Sequence, residues 1–407
     1  MHLVANHFTL SLSTIYPFAY LLLSFLIFHI TIRTPDQQYR LLLFPFFLVS
    51  AIFSFTASAN LPFKSTLPPI WTQSVALNII HITSLLFIEK HPPPSRSTAP
   101  LRSTYQLWSN PQLKPSSSTS TDNPLRLRGA TPTEQSHTAF LTRRFLKLLS
   151  YYALYQHIQP RLLALAIGDI ESYDVASHRF RDLELSPRGI TIRSYVSLSW
   201  AFSNYIIMDS LHAALSIVAV ITSLDRPEDW EPALFGPWRE VSGLRNFWSR
   251  FWHRLARRPY TNCGRAMCSA LGLNSRKALS KTVVAFIVFL VSGLSHAAVS
   301  WQAGWTADRF WMDDVEWYML NFFACLFETG LLALARSLSR RLGLGREYEA
   351  LRRSWCGWCV GCAWTFAFFF CTVPMWQFPR LHRLLVEKER WEILEEAYRV
   401  FGRPAGI

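Results

Sequence analysis

The sequence predicts an all-α fold, a multi-pass transmembrane helical bundle of about eight spans, and two observations support this. The 407 residues are 50% hydrophobic and 15% aromatic but only 17% charged, whereas soluble domains carry roughly 25% charged residues. The chain also contains apolar runs close to the ~20 residues that cross a bilayer as a helix. A membrane β-barrel would show short segments of alternating hydrophobicity instead. The apolar runs are 12–32, 41–59, 70–88, 195–221, 282–301, 315–334 and 355–375.

A further crossing is predicted at 144–167 from the distribution of basic residues. The loop after the third run and the block 239–281 are both basic, so both are expected on the cytosolic side, with an even number of crossings between them. Lys147, His157 and Arg161 make 144–167 a poor lipid-facing helix. We therefore expect a span packed among other helices, or a re-entrant segment.

Composition divides the chain into four regions. Residues 1–88 are predicted to be N-terminal transmembrane helices, the first of them retained rather than cleaved as a signal peptide. Residues 89–140 are rich in proline, serine and basic residues and are predicted to form a flexible cytosolic loop. Residues 141–377 contain the remaining helices and form the predicted core, and 378–407 are predicted to form an amphipathic surface helix.

The net charge of +14 does not indicate nucleic-acid binding. The lysines and arginines lie in loops between hydrophobic spans, as the positive-inside rule predicts. The expected partner is therefore the lipid bilayer, with no nucleic acid. A second use of the charge would be to hold an anionic cosubstrate at the membrane face. The seven cysteines form no evident disulfide framework.

The stretch NFWSRFWHRLARRPY, at 246–260, mixes aromatic residues with arginines around His253. At 100° per residue, as in a helix, its aromatic side chains fall on one stripe and its arginines on the other side, with His253 pointing away from the aromatics. An interfacial helix explains the aromatics and arginines, but it does not require the histidine. The stripe comprises Phe247, Trp248, Phe251, Trp252 and Leu255, and the arginines are Arg250, Arg254 and Arg257.

A second histidine, His296, lies inside an apolar run, in FLVSGLSHAAVSW. Counting from Lys281 at about 1.5 Å per residue places it roughly 22 Å deep. An ionisable group within a membrane span is costly and indicates function unless a neighbour satisfies it. Ser292, Gly293 and Ser295 give this face small, weakly polar side chains that permit close packing or leave room for a ligand.

Three other kinds of site are disfavoured. The cysteines of WCGWCVGCAW, at 355–364, lack the fourth ligand that a structural zinc site needs. The acidic motif DRPED, at 225–229, resembles the start of a magnesium–diphosphate site, but a proline interrupts it and no second acidic motif precedes it. A di-iron desaturase would need close histidine pairs, and the twelve histidines are scattered. No bound metal is therefore expected.

Two blocks of the chain carry a recognisable pattern. The first, WEPALFGPWREVSGLRNFWSRFWHRLAR at 230–257, contains a Pro-x-Leu-Phe-Gly turn and then a Leu-x-x-Phe-Trp-x-x-x-Trp-His block. The second, FLVSGLSHAAVSW at 289–301, contains Ser-Gly-x-x-His. Both resemble the wax synthase-like branch of the membrane-bound O-acyltransferase (MBOAT) superfamily, over 230–301 of this chain.

The resemblance implies an enzyme that transfers an acyl group from a coenzyme A thioester to an alcohol within the membrane, with acyl-CoA as cosubstrate and no bound cofactor. His296 would be the catalytic base. His253 would also be catalytic, orienting the hydroxyl or donating toward the oxyanion. Members of the wider family carry Asn or Asp at this position, which favours a positioning role. Coenzyme A would bind Arg250, Arg254 and Arg257, and the substrate would contact Trp252, Ser292 and Ser295.

Within this branch the resemblance favours fungal acetyltransferases of terpenoid or meroterpenoid biosynthesis. Acetyl-CoA would then be the donor, a hydrophobic alcohol the acceptor, and the endoplasmic reticulum membrane the location. A long-chain wax ester synthase acting on fatty alcohols is an alternative. A non-enzymatic membrane transporter or scaffold is an alternative of another class, and it predicts no convergence of the two histidines.

Overall fold

The computed structural model describes residues 12–62, 67–94, 100–113, 137–157, 186–230, 233–273, 277–305 and 311–401, with side chains up to residue 386. All regular secondary structure in these ranges is helical, so the predicted all-α fold class is confirmed. In chain order the longer helices are α1 Leu12–Arg33, α2 Gln37–Asn60, α3 Leu67–Ile88, α4 Pro100–Ser109, α5 His137–His157, α6 Pro187–Ile221, α7 Arg257–Ala270, α8 Ala278–Gln302, α9 Met312–Arg341, α10 Gly345–Arg353 and α11 Trp355–Phe401.

Seven helices among the described residues are long and apolar enough to cross a membrane. They are α1, α2, α3, α6, α8, α9 and the first part of α11, and each contains one whole apolar run of the sequence. The chain is therefore a multi-pass membrane protein. The length of the apolar runs was sufficient to find these helices, because a lipid-facing helix is apolar on every side.

The predicted crossing at 144–167 is only partly described. Its first part is helical and belongs to α5, which is not among the seven spans; the rest, from residue 158, lies outside the described residues. The polar side chains of α5 pack against α6. Lys147 Nζ lies 2.5 Å from the buried carboxylate of Asp209, and the Tyr151 hydroxyl donates to the same carboxylate at 2.7 Å.

The chain divides into two compact units. Unit 1 comprises Met1–Pro115 and His253–Leu331, and unit 2 comprises Ser116–Trp252 and Leu332–Ile407. In unit 1, α1 and α2 pack along their length, and the hydroxyl of Ser24 donates to that of Ser50 at 3.1 Å between them. The core of this part consists of Phe28, Ile32, Phe47, Ala51, Val75, Ile82, Leu85 and Leu86.

Part of the predicted flexible loop, 89–140, is instead the helix α4. Its Trp108 packs against three phenylalanine rings of α1 and α2, with ring centroids 5.5–6.1 Å apart. The buried imidazole of His81 bonds the Leu107 carbonyl through Nε2 at 2.8 Å. The expectation of a flexible loop is wrong at α4, because Leu107 and Trp108 pack against an existing core. Most of the remainder, 114–136, lies outside the described residues.

The last helix is longer than predicted. We expected a span at 355–375 and a separate amphipathic helix over 378–407, but α11 continues without interruption from Trp355 to Phe401. Pro374 and Pro379 lie inside it, although proline removes one helical hydrogen bond. The side chains that would form the amphipathic face fall largely outside the described part of the chain.

Candidate active site

The predicted single helix over 246–260 is wrong, because the chain leaves the helical conformation in its middle. Helical residues extend to Phe251 in a wide final turn, where the Trp252 amide donates to the Phe247 carbonyl at 2.7 Å. Trp252 is extended, with φ −60° and ψ 154°. The next helix, α7, begins only at Arg257, so the aromatic residues and the later arginines belong to different segments.

A close contact at Gly236 explains where this helix stops. The Gly236 amide donates to the Phe251 carbonyl at 2.7 Å, which satisfies an acceptor that helix termini leave without an intrahelical partner. A Cβ at position 236 would lie 2.0 Å from the Arg250 carbonyl oxygen. Only glycine allows the two backbones to approach this closely, so the Leu-Phe-Gly motif docks the last turn of the aromatic segment.

We expect Gly236→Ala to lower the thermal unfolding midpoint of the purified protein by about 5 °C or more. A backbone clash has no flexible side chain to relieve it, so we expect about 2 kcal/mol of destabilisation. For a unit of this size each kcal/mol lowers the midpoint by roughly 2–4 °C, which gives about 4–8 °C in total. The control is Gly330→Ala, where the added Cβ meets nothing within 4 Å. Equal midpoints for the two variants would contradict the docking role of Gly236.

The three arginines predicted to share one helical face do not lie on one helix. Arg250, in unit 2, is exposed and pairs with Glu240, with Nη1 and Oε2 3.4 Å apart. Arg254 is half-buried between the two helical segments, and Arg257 is exposed at the start of α7, both in unit 1. Their spacing therefore does not itself define an anion site.

A fourth arginine of the stretch, Arg258, was missed in the sequence analysis and has a structural contact. It forms an ion pair with Glu89 and donates to the Pro111 carbonyl at 3.2 Å. The Asn262 amide donates to the same carboxylate at 2.7 Å, and the Ser84 hydroxyl donates at 2.8 Å. This network fastens α7 to the end of α3. The feature of the sequence that could have indicated this network is Glu89, an acidic residue immediately after an apolar run.

His296 lies on α8, half-buried, with its imidazole stacked on the ring of Tyr318 from α9. The ring centroids are 5.0 Å apart and the planes differ by 20°. Gly293, one turn earlier, makes this possible, because a Cβ there would lie 3.0 Å from the Val315 Cα and 3.2 Å from the Tyr318 Cβ. The Ser-Gly-x-x-His pattern thus combines close helix packing with an imidazole held against an aromatic face.

His253 and His296 are close enough to interact electrostatically, and both belong to unit 1. Burial, and to a smaller extent the charge of His296, lowers the pKa of His253 from 6.5 to about 4. The imidazole of His253 is therefore neutral at physiological pH, with one ring nitrogen protonated and the other an acceptor. The scaffold alternative predicted no convergence of these two side chains, which the electrostatic interaction between them disfavours.

Ser295, predicted to contact substrate, is 6% exposed and takes part in a closed network. Its hydroxyl donates to the Ser292 carbonyl at 2.8 Å and accepts from the Tyr260 hydroxyl at 3.1 Å and from the Gln73 amide at 3.4 Å. Burial raises the pKa of Tyr260 to about 12, which keeps its hydroxyl protonated as a donor. These contacts attach α8, the helix that carries His296, to α7 and α3. Ser292 contributes through its backbone carbonyl.

A buried carboxylate, Asp314, lies on the same face of α9 as Tyr318, one turn away. It is 1% exposed and accepts a hydrogen bond from the Ser300 hydroxyl at 2.5 Å. Ser300 is in turn one helical turn from His296 on α8. Two residues of α9 therefore engage two residues of α8, and neither Asp314 nor Tyr318 was identified from the sequence.

Trp252, also predicted to contact substrate, belongs to unit 2. It is 7% exposed and stacks on Trp200, with centroids 5.5 Å apart, and on Phe247, with centroids 5.2 Å apart. It is therefore part of an aromatic cluster formed by α6 and the segment that ends at Phe251. This aromatic cluster is rigid, because each ring packs against other rings of the cluster.

The other candidate sites have local explanations. Asp225 accepts from the Trp230 indole at 3.1 Å, and Asp229 accepts from the Arg226 amide at 3.0 Å, so the DRPED motif closes its own turn. The cysteines of α11 remain as free thiols. Among the described residues, no group of three or more His, Cys, Asp or Glu side chains could hold a metal ion.

Comparison with protein families gives a match over the region just described. Residues 230–324 match the model of a family described as the membrane bound O-acyl transferase family. That range includes His253, His296 and Tyr318. The resemblance indicated by the two sequence blocks is therefore confirmed.

Several curated proteins are similar to the chain. It is 27% identical over 228 residues to acetyltransferase atnC of an Arthrinium species, covering 54% of this chain and 49% of that protein. Acetyltransferase ataH of Aspergillus terreus is 28% identical, covering 48% and 59%. Acetyltransferase sirH of Emericella nidulans is 36% identical over 111 residues, covering 26% and 25%. The chain thus spans about half the length of the first two relatives and a quarter of the third. No solved structure matches it.

Proposed function

We propose that this chain, whose region 230–324 is of the membrane-bound O-acyltransferase type, transfers an acetyl group from acetyl-CoA to a hydroxyl of a hydrophobic alcohol. The observation that carries the proposal is the pair of imidazoles, His253 and His296, the first kept neutral by burial. An alcohol is a weak nucleophile, and a positioned imidazole is the usual group that removes its proton.

In the proposed reaction His296 is the base. It takes the hydroxyl proton of the alcohol while the alcohol oxygen bonds to the carbonyl carbon of the thioester. The carbonyl oxygen becomes the oxyanion of a tetrahedral intermediate. When the carbon–sulfur bond breaks, its electron pair leaves with the sulfur, and the imidazolium returns the proton to the thiolate. The products are the acetate ester and free coenzyme A.

His253 supports the oxyanion or the hydroxyl in this scheme. A neutral imidazole donates one N–H, and a preorganised donor aimed at the developing negative charge is an effective catalytic contact. Tyr318 acts as a positioning residue, because its ring covers one face of the His296 imidazole. Ser292, Ser295 and Trp252 remain candidates for substrate contact, with the Ser295 hydroxyl already engaged by the protein.

Coenzyme A brings phosphate groups, which arginine binds with charge-assisted hydrogen bonds. Of the three proposed ligands, Arg257 is exposed and Arg250 already has Glu240 as a partner. Arg254, which lies between them in the sequence, is half-buried. We therefore rank Arg257 above Arg250 as the phosphate contact.

Arg257→Gln should raise the KM for acetyl-CoA by about three- to tenfold at low ionic strength, with little change in the KM for the alcohol. The effect should shrink as salt screens the charge. The triple change at 250, 254 and 257 should raise it further. Arg245→Gln, another exposed arginine, is the matched control. An unchanged donor KM in the triple variant, at equal membrane levels, would leave these arginines as headgroup contacts.

The acceptor is proposed to be a terpenoid or meroterpenoid alcohol of a secondary-metabolite pathway, and the location the endoplasmic reticulum membrane. Support comes from fungal relatives that are named acetyltransferases. The test is a microsomal assay that offers acetyl-CoA and palmitoyl-CoA against hydroxylated terpenoids and fatty alcohols. Acetyl transfer to terpenoids supports the proposal, palmitoyl transfer to fatty alcohols would establish the wax synthase alternative, and no transfer to any acceptor would favour a transporter or scaffold.

A further inference from the structure

A cavity of about 460 Å³ lies within unit 2, lined by residues of α5, α6, the 238–252 segment and α11. Half of its twenty lining residues are aromatic, and none of these described residues carries a charge. Leu198 and Phe202 line the cavity and are 58% and 47% exposed. The cavity therefore opens on the side of α6, a membrane-spanning helix, where a lipid-soluble molecule can enter.

The walls of this cavity are preformed by ring packing. The rings of Tyr205 and Phe251 are parallel within 2°, with centroids 6.4 Å apart. Phe247 contacts Trp252 at 5.2 Å and Phe369 at 5.0 Å between centroids. A rigid ring system loses little conformational freedom when it enters such a cavity, whereas a flexible hydrocarbon chain must fix many bonds. The walls therefore favour a polycyclic occupant over a linear one.

Two hydroxyl groups on the wall are available to a ligand. Ser199 and Ser203, one turn apart on α6, line the cavity and make no hydrogen bond with the rest of the described chain. Ser197, by contrast, donates to the Phe369 carbonyl at 3.0 Å. A serine hydroxyl both donates and accepts, so the free pair can bind a hydroxyl or carbonyl oxygen on an otherwise apolar molecule.

The cavity, at about 460 Å³, is much larger than an acetyl group, which has only three non-hydrogen atoms. We propose that this cavity binds the acceptor of the reaction, and that the acceptor is an oxygenated polycyclic hydrocarbon, with its rings between the aromatic walls and an oxygen on Ser199 or Ser203. The assignment as acceptor rests on the proposed function; the binding of such a molecule rests on the cavity.

Photolabelling tests binding without turnover. The probe is a bicyclic fifteen-carbon alcohol that carries a diazirine on its ring, applied to microsomes that contain the wild-type protein or His296→Ala. We expect mass spectrometry to place the label within 195–207, 238–252 or 365–369 in both proteins. An excess of unlabelled bicyclic alcohol should reduce labelling at least tenfold, and an equal excess of hexadecanol or phospholipid should not.

The matched variants are Ser203→Phe, which fills the cavity, and Leu215→Phe, on the exposed side of α6 away from it. Ser203→Phe should lower labelling at least tenfold and raise the KM for the alcohol, with the acetyl-CoA KM unchanged, while Leu215→Phe should match wild type. The double change Ser199→Ala and Ser203→Ala adds no bulk and serves if Ser203→Phe fails to fold. It should weaken binding of the alcohol more than that of the parent hydrocarbon.

The outcomes separate this inference from the proposed function. Label outside the cavity segments, or equal protection by hexadecanol, overturns the polycyclic ligand even if acetyl transfer is observed. Protection by phospholipid overturns it in favour of a bilayer lipid as the occupant. Cavity labelling as described, in a protein that transfers acetyl to no alcohol, would retain the ligand class and overturn its assignment as acceptor.

Discussion

His296→Ala is expected to reduce acetyl transfer by about 10²- to 10⁴-fold, the range for removal of a general base. The imidazole lies against the ring of Tyr318 on a helix packed closely through Gly293, so its removal leaves the backbone contacts of α8 intact. The variant should therefore remain folded and in the membrane. Turnover of the detergent-purified variant, corrected for protein amount, is the measurement.

Two further variants make this result specific. His157→Ala changes an exposed histidine at the end of α5 and should retain wild-type turnover. Tyr318→Phe keeps the ring that covers the imidazole and should lose little activity, whereas Tyr318→Ala should lower kcat more than it changes either KM. Retention of more than about a tenth of the wild-type rate by His296→Ala would assign the base to another residue.

His253→Ala is expected to lower kcat by about 10²- to 10³-fold, as loss of an oxyanion donor does, with little change in either KM. His253→Asn should recover most of the rate, because an amide also donates a hydrogen bond and has no charge to lose. If Asn is as inactive as Ala, His253 transfers a proton rather than positions the reacting groups. Thermal midpoints measured on the same samples exclude unfolding as the cause.

The lowered pKa of His253 can be tested through the pH dependence of the protein's stability. Because it is lowered to about 4 in the folded protein, against about 6.5 in the unfolded chain, the unfolded state binds the proton first as pH falls. The stability contributed by the neutral imidazole is fully present above pH 6.5 and is lost toward pH 4. The midpoint should therefore fall less between pH 7 and pH 4.5 in His253→Asn than in wild type. An equal fall would mean that His253 is protonated in the folded protein.

The membrane helices could be predicted because they depend on local composition. Each of the seven apolar runs lies whole within a helix. The helix α4 was missed because it is short and half of its residues are polar or charged, and its burial depends on contacts of Trp108 with α1 and α2. The break after Phe251 was missed for the same reason, since it is fixed by Gly236, fifteen positions earlier.

The candidate site was predictable in part. His253 and His296 stand out because each is an ionisable residue in an unusual setting, and their convergence is consistent with the roles assigned to them. Gln73, Tyr260 and Tyr318 could not be ranked, because tyrosine and glutamine occur throughout the chain and their importance comes only from the partners they meet. Arg250 illustrates the opposite error: helical spacing suggested a shared face, but the helix does not continue.

Unit 1 is assembled from two stretches of chain, Met1–Pro115 and His253–Leu331, and this imposes an order on its biosynthesis. The ribosome must add the residues from 116 to 331 before the second stretch is complete, which takes about 10–40 s at common elongation rates. During that interval α3 lies in the membrane with the face that later receives α7 and α8 uncovered. The histidine pair thus forms only late in synthesis, and a chain released early would expose polar groups such as Gln73 to lipid, a feature that membrane quality control can recognise.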